Sequence, residues 1–233
     1  MGMIRKVEEE MLDVLAHDDP KAVHSRRDLR LINTLQGNYR WLARQMKKHL
    51  LPREQGAEWG AGAGDLSRYL KEKETLPEGV RIDGWDSCPR PSIWPENWGW
   101  EQHDLTTIKR VPYDFVVGNL IFHQFEDQTL YALGKHLQQS CRLIFACEPV
   151  RRKRHLWQLE LLRPMRLSQV TWNDARISIG AGFRAGELPE KLGLSKENWD
   201  WFIRETALGA YRFLARRKGD IPMAELISEG VPV

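Results

Sequence analysis

The residues best suited to chemistry sit together in Glu58-Trp59-Gly60-Ala61-Gly62-Ala63-Gly64-Asp65-Leu66. Glycine lacks a Cβ, so glycines at alternate positions let the backbone turn sharply and come close to a ligand. Leu66 to Lys71 reads as the opening of a helix, whose first N–H groups point at whatever the loop holds. A dinucleotide fingerprint needs a third glycine where this chain has Asp65, counted from Gly60, or Ser67, counted from Gly62. Glu58 and Asp65 flank the loop, and carboxylates there repel a pyrophosphate and attract a cation.

S-adenosylmethionine carries an ammonium and a sulfonium and no phosphate, so the charge pattern favours it over a nicotinamide dinucleotide. The next segment, Arg81 to Ser87, alternates like a strand and ends in Asp86, close to the ~20 residues past the glycine loop where an acidic side chain meets ribose hydroxyls. After a third strand, Asp104 stands where it could accept from an adenine amino group, or else serve only as a helix N-cap. These residues, with Ala61, Ser87 and Leu105 beside them and Asn119 and Leu120 at the end of a fourth strand, form the expected cofactor set. His123, just past that strand, is the candidate catalytic base for a hydroxyl acceptor, with a structural hydrogen-bonding role as the alternative. Tyr39, Arg40, Trp41, Trp157 and Trp172 either close over the substrate or pack cap on core. Among them Tyr39, Arg40 and Trp157, together with His123, are taken as the substrate contacts. No metal site is expected.

The elements that must position these groups follow from periodicity. Short segments near 56–60, 80–86, 98–102, 113–119 and 142–148 read as strands, with helices at 64–72 and 126–139. Segments 199–205 and 208–216 supply two more strands, turning near Leu208-Gly209. The fold expected is α/β: a Rossmann-like, mostly parallel seven-stranded sheet with helices on both faces. Residues 1–52 read as a helical N-terminal cap or lid. One helix is expected over 3–16, a second from a Ser25 N-cap with Asp28 as its capping box, and a third carrying Tyr39, Leu42, Met46 and Leu50. The cofactor-binding domain then spans 53–218, with 149–198 inserted between the fifth and sixth strands and 219–233 a flexible tail.

Composition narrows the class. The 233 residues carry 35 basic and 32 acidic side chains for a net charge of +3, too balanced for a nucleic-acid-binding face, so no nucleic acid is expected as a partner. The run Arg151 to Arg154 either grips a phosphate or is a solvated face. No apolar run approaches the ~18–20 residues of a membrane span. Three cysteines without metal or CxxC spacing read as reduced thiols, so a cytoplasmic protein is expected.

The ordered motifs resemble those of class I S-adenosylmethionine-dependent methyltransferases. They are the loop Glu58 to Gly64, Asp86 at the end of strand two, and Asp114 to Phe125. More specifically, three stretches are similar to small-molecule methyltransferases of polyketide-type biosynthesis: Arg27 to Asn33 with Gly37, Leu120 to Gln124 with Glu148 to Arg151, and Asn173 to Leu188 with Ser178. That resemblance implies methyl transfer to a small-molecule hydroxyl or carboxylate, with S-adenosylhomocysteine as product. An RNA methyltransferase and a catalytically idle cofactor-binding partner subunit remain open alternatives. Two features depart from the pattern: Gly56-Ala57-Glu58-Trp59 lacks the usual aliphatic run, and Gln124 replaces a second histidine.

Overall fold

The computed structural model describes residues 3–16, 18–161 and 167–219. Seven strands form one sheet: β1 (Gln55–Trp59), β2 (Arg81–Asp86), β3 (Trp100–Gln102), β4 (Phe115–Asn119), β5 (Leu143–Pro149), β6 (Trp199–Glu205) and β7 (Ala210–Arg217). Their order is β3-β2-β1-β4-β5-β7-β6. β1 to β5 run parallel and β7 inserts antiparallel between β5 and β6.

Alternation builds two cores, one on each face. Val116, Ile144 and Ala146 point to one side and meet Leu130, Leu133 and Leu137 of α5 (Asp127–Ser140). Phe115, Val117, Leu143 and Phe145 point to the other and meet Leu42 and Met46 of α3 (Asn38–His49) and Leu66 and Leu70 of α4 (Asp65–Glu72). Both faces are covered, so β5 is buried along its whole length, as expected for a central parallel strand.

The aliphatic run missing from β1 has a packing explanation. Trp59 is fully buried and stacks 6.5 Å from Trp85, filling one face alone. On the other face a Cβ at Gly56 would meet the Phe115 ring at 2.2 Å, so Phe115 occupies the volume that a larger β1 residue would take.

The N-terminal region differs from the sequence expectation. Helix in the first segment is confined to α1 (Met11–Val14), and residues 3–10 form a non-helical strap in which burial alternates with period two over residues 3–8. Ile4 is 89% exposed, while the polar Arg5 turns inward, donating to the carbonyls of Ala181, His123 and Phe125 and lying 5.0 Å over the Phe183 ring. Tertiary hydrogen bonds thus override the helical spacing of Ile4 and Val7. α2 (Pro20–Gln36) starts five residues before the expected Ser25 cap, with Asp19 accepting from the Lys21 N–H and Pro20 in the first turn. Ser25 and Asp28 instead face α7 (Gln169–Ala181), where Asp28 accepts from the Ser168 N–H at 2.7 Å and the Thr171 hydroxyl at 2.8 Å.

Between β5 and β6 lie α6 (Lys153–Leu161), α7 and α8 (Glu187–Lys191). The tail expected at 219–233 falls, from residue 220 onward, outside the described residues. No helix among the described residues is long and apolar enough to cross a membrane.

Packing of α5 on α8 leaves no spare volume at Gly134, where a Cβ would lie 2.0 Å from the Leu192 carbonyl oxygen. Gly134→Ala is expected to destabilise by about 1–3 kcal/mol, despite gaining roughly 1 kcal/mol in helix propensity. Chemical denaturation measures this, and an unchanged midpoint would contradict the packing.

Candidate active site

Loops following β1, β2, β3 and β4 converge at the carboxyl edge of the sheet on a cavity of about 360 Å³, the edge where open α/β sheets bind ligands. The glycine loop forms its floor. Gly60 and Gly62 have φ of 64° and 51°, a region that favours glycine. A Cβ at Gly60 would strike the Ile121 side chain at 2.7 Å, whereas one at Gly62 would meet nothing nearer than 3.9 Å. Gly62 therefore presents bare backbone to the cavity. Gly64, with φ 75°, does not line it; it caps α4 against Trp94.

Asp86 is fixed at the end of β2, one oxygen accepting from the Gly62 N–H and the other from the Cys88 N–H, both at 2.8 Å. Each oxygen keeps a lone pair for a ligand. Asp104 lines the cavity and is an N-cap, accepting from the Thr106 N–H. Ala61, Ser87, Leu105, Asn119 and Leu120 line the cavity as well. Among the described residues no donor reaches the buried Oδ1 of Asn119. Leu120 takes φ 63°, a strained conformation for a leucine, directly after β4.

Glu58 is 3% exposed, and its hydrogen-bond partner is the Ser67 hydroxyl. Burial pushes its carboxyl up to about 8, with the Asp65 and Asp86 charges adding to the rise against the Ser67 bond. Burial likewise raises Asp65, countered by Arg30 and Arg68.

The opposite wall holds a chain of three groups. His123 Nδ1 donates to Glu148 Oε2 at 2.6 Å, and Nε2 donates to Glu10 Oε1 at 3.3 Å. Burial disfavours the imidazolium, but the two carboxylates outweigh it and raise His123 to about 9. Burial also opposes ionisation of Glu10, yet its bonds to His123 and Ser178 hold its carboxyl below the usual range. His123 is thus a protonated bridge with both nitrogens engaged. It lines the cavity, but this geometry does not offer it as a general base, a correction to the sequence expectation.

Two expected substrate contacts are not brought here. Arg40 is exposed on α3, and Trp157 is 75% exposed on α6; neither lines the cavity. Trp41 is buried in the core with α4, and Tyr39 alone of that aromatic group reaches the cavity wall. Half of the basic run is consumed internally: Arg151 is buried on Glu187 and the Gly182 carbonyl, and Arg152 pairs with Glu205.

Sequence reasoning missed Glu10, Leu12, Asp13 and Leu15, which the strap and α1 bring to the cavity. Asp13 stands at the open face, where burial, then the neighbouring Glu10 and Asp174 charges, push it to about 6. In the sequence Glu8-Glu9-Glu10 resembles a solvated acidic run and carries no signal of this role.

Two outcomes follow. Gly62→Ala is expected to cost about 1 kcal/mol through its positive φ while placing a methyl group in the ligand space, so ligand affinity falls far more than stability. Gly60→Ala is expected to lose stability first, through Ile121; paired melting and binding assays separate the two. For pH, His123 and Glu58 both have folded values, about 9 and about 8, above their ordinary values of 6.5 and 4.5. Each contribution is full below the unfolded value and lost as pH rises through the folded one, on the order of 3 kcal/mol for His123. Thermal melts of the unliganded protein are expected to fall between neutral pH and about 9, and a rise there would refute the assignment.

No family model matches the sequence, and no curated protein matches it. Solved structures do. The chain is similar to the plantazolicin methyltransferase BpumL, in complex with SAH, at 12% identity and a TM-score of 0.60, over 86% of this chain and 91% of that one. It is similar to the plantazolicin methyltransferase BamL, in complex with a triazolic desmethylPZN analog and SAH, at 10% identity and 0.64, over 88% and 92%. PhzM, a pyocyanin biosynthetic protein, matches at 14% identity and 0.57, over 90% of this chain and 62% of that one. The chain therefore has the Rossmann-like seven-stranded α/β fold of these proteins, as the strand and helix pattern implied.

Proposed function

We propose that the chain is an S-adenosylmethionine-dependent methyltransferase acting on a small molecule. The observation that carries this reading is the set of carboxyl groups on the cavity floor. Glu58, Asp86 and Asp104 surround a bare glycine backbone, and the buried Asn119 Oδ1 meets no donor among the described residues. That set fits a cationic nucleoside and repels a pyrophosphate. Asp86 would take the ribose hydroxyls, Asp104 the adenine edge, and Glu58 and Asn119 the ammonium end. The structures of BpumL and BamL, which share the fold, contain SAH.

Bound S-adenosylmethionine supplies an electrophilic methyl group. The chain's own share is to hold the acceptor in line with it and to exclude water. A hydroxyl acceptor would have to lose its proton without help from His123, whose two nitrogens are already bonded to carboxylates.

Calorimetric titration with S-adenosylhomocysteine, and with NAD for comparison, tests the proposal. Micromolar binding of the first alone is expected. At neutral pH Glu58 carries a proton, and an arriving ammonium favours its ionised form. Binding is therefore expected to release a proton, visible in buffers of different ionisation enthalpy, and to strengthen as pH rises toward about 8. Glu58→Gln is expected to abolish the release and weaken binding by roughly tenfold. Equal binding of NAD, or binding without proton release, would count against the assignment.

A further inference from the structure

The strap wall of the cavity carries an unbalanced negative charge. Glu148, His123 and Glu10 form a carboxylate–imidazolium–carboxylate chain with one net negative charge, and Asp13 adds another at the open face. Among the described residues that line this wall His123 is the one cation, and both its nitrogens are consumed; Arg5 of the strap lies behind the lining and pairs with Asp127. The other basic residues that line the cavity stand toward β2 and β3: Arg26 acts on Cys88, and His103 packs edge-on against Trp85, 3.6 Å from Glu101. Burial, then the charges of Glu10, Asp174 and Asp86, raise Asp13 against the opposing charge of His123, so the field on this wall stays negative on balance.

Glu10 is not a loose side chain that an acceptor would displace. The strap is held on one side by the Lys6 N–H on the Gly180 carbonyl, and on the other by Met11 and Leu12 N–H groups on Asp174. Ser178 donates to Glu10 as well. The wall is a permanent fixture of the site. Leu12, Leu15 and Phe125 supply apolar surface beside it.

We propose that the methyl acceptor is a small molecule bearing a protonated amine beside an apolar body, and that Glu10 and Asp13 of the N-terminal segment seat the ammonium. A carboxylate or phosphate acceptor would meet like charge on this wall and is excluded by the same field. The ammonium must shed one proton before its lone pair can form the new bond, and the Asp13 carboxylate holds that proton. The N–C bond then forms as the C–S bond breaks, with sulfur keeping the electron pair, and the product is the methylated ammonium. This inference rests on the methyl-transfer reading above.

The test uses the full chain saturated with S-adenosylhomocysteine and three probes that share one ring: benzylamine, benzyl alcohol and benzoate. Benzylamine is expected to bind saturably at neutral pH, roughly tenfold or more tighter than the alcohol or benzoate. Asp13→Asn and Glu10→Gln are each expected to weaken benzylamine by roughly tenfold. Glu10→Gln risks loosening the strap; Asp13 makes no side-chain hydrogen bond among the described residues, so Asp13→Asn keeps the test decisive. Benzylamine that fails to bind, binds no better than benzoate or the alcohol, or ignores Asp13→Asn overturns the inference. Failure of S-adenosylhomocysteine itself to bind would instead strike the underlying reading.

Discussion

The arrangement depends on one buried carboxylate. Glu148, next to last in β5, has no exposed surface, and its two oxygens accept from the backbone N–H groups of Ile121, Phe122 and His123 and from His123 Nδ1. A buried carboxylate is tolerable only when its lone pairs are met this fully. The return is geometric. Those bonds wind the chain after β4 into a single 3₁₀ turn, Phe122–Gln124, and set Leu120 just before it in its strained conformation at the cavity edge. Through the imidazole they reach a residue 113 positions away, Glu10, and so tie the strap to the sheet. Removing the Glu148 charge would leave His123 and three backbone donors unmet at once.

A second constraint is volume at the centre of the sheet. β1 carries both the glycine loop and the acid that precedes it, so it has few positions left for aliphatic packing. Trp59 covers one face, and Phe115 leans over Gly56 to cover the other. Alternation then turns Glu58 to the same side as α4, where Ser67 is the group that meets it. The unusual first strand is thus a redistribution of core volume onto aromatic neighbours, which leaves the functional edge polar.

Much of this was legible. Short strand-like segments between turn residues marked every strand to within a few residues; the central ones read as near-continuous apolar runs because both sheet faces are buried. The loop Glu58 to Gly64 and Asp86 were legible because close backbone approach and a strand-end acid leave residue-type signatures. What the sequence hid were contacts between distant segments. Arg5 and Glu10 look like solvated charges, and only the carbonyls and imidazole that meet them in space turn them inward. Ser25 and Asp28 have the spacing of a cap, yet the groups that bond them lie on α7. His123 read as a base because its type suits one, while the two carboxylates that hold its proton lie 25 and 113 residues away.

The two ends of the cavity use the same functional group in opposite states. Glu58 has a hydroxyl for a partner and is pushed up; Glu10 has an imidazolium and is held down. An unliganded site with both carboxylates charged would bury Glu58 uncompensated. Letting it take a proton avoids that cost, and the charge returns when a cation arrives to balance it. The strap end has no such adjustment, since its negative charge is stabilised from within by His123. A ligand's arrival therefore changes the charge state of the floor, while Glu10 at the wall stays ionised whether or not the floor is filled.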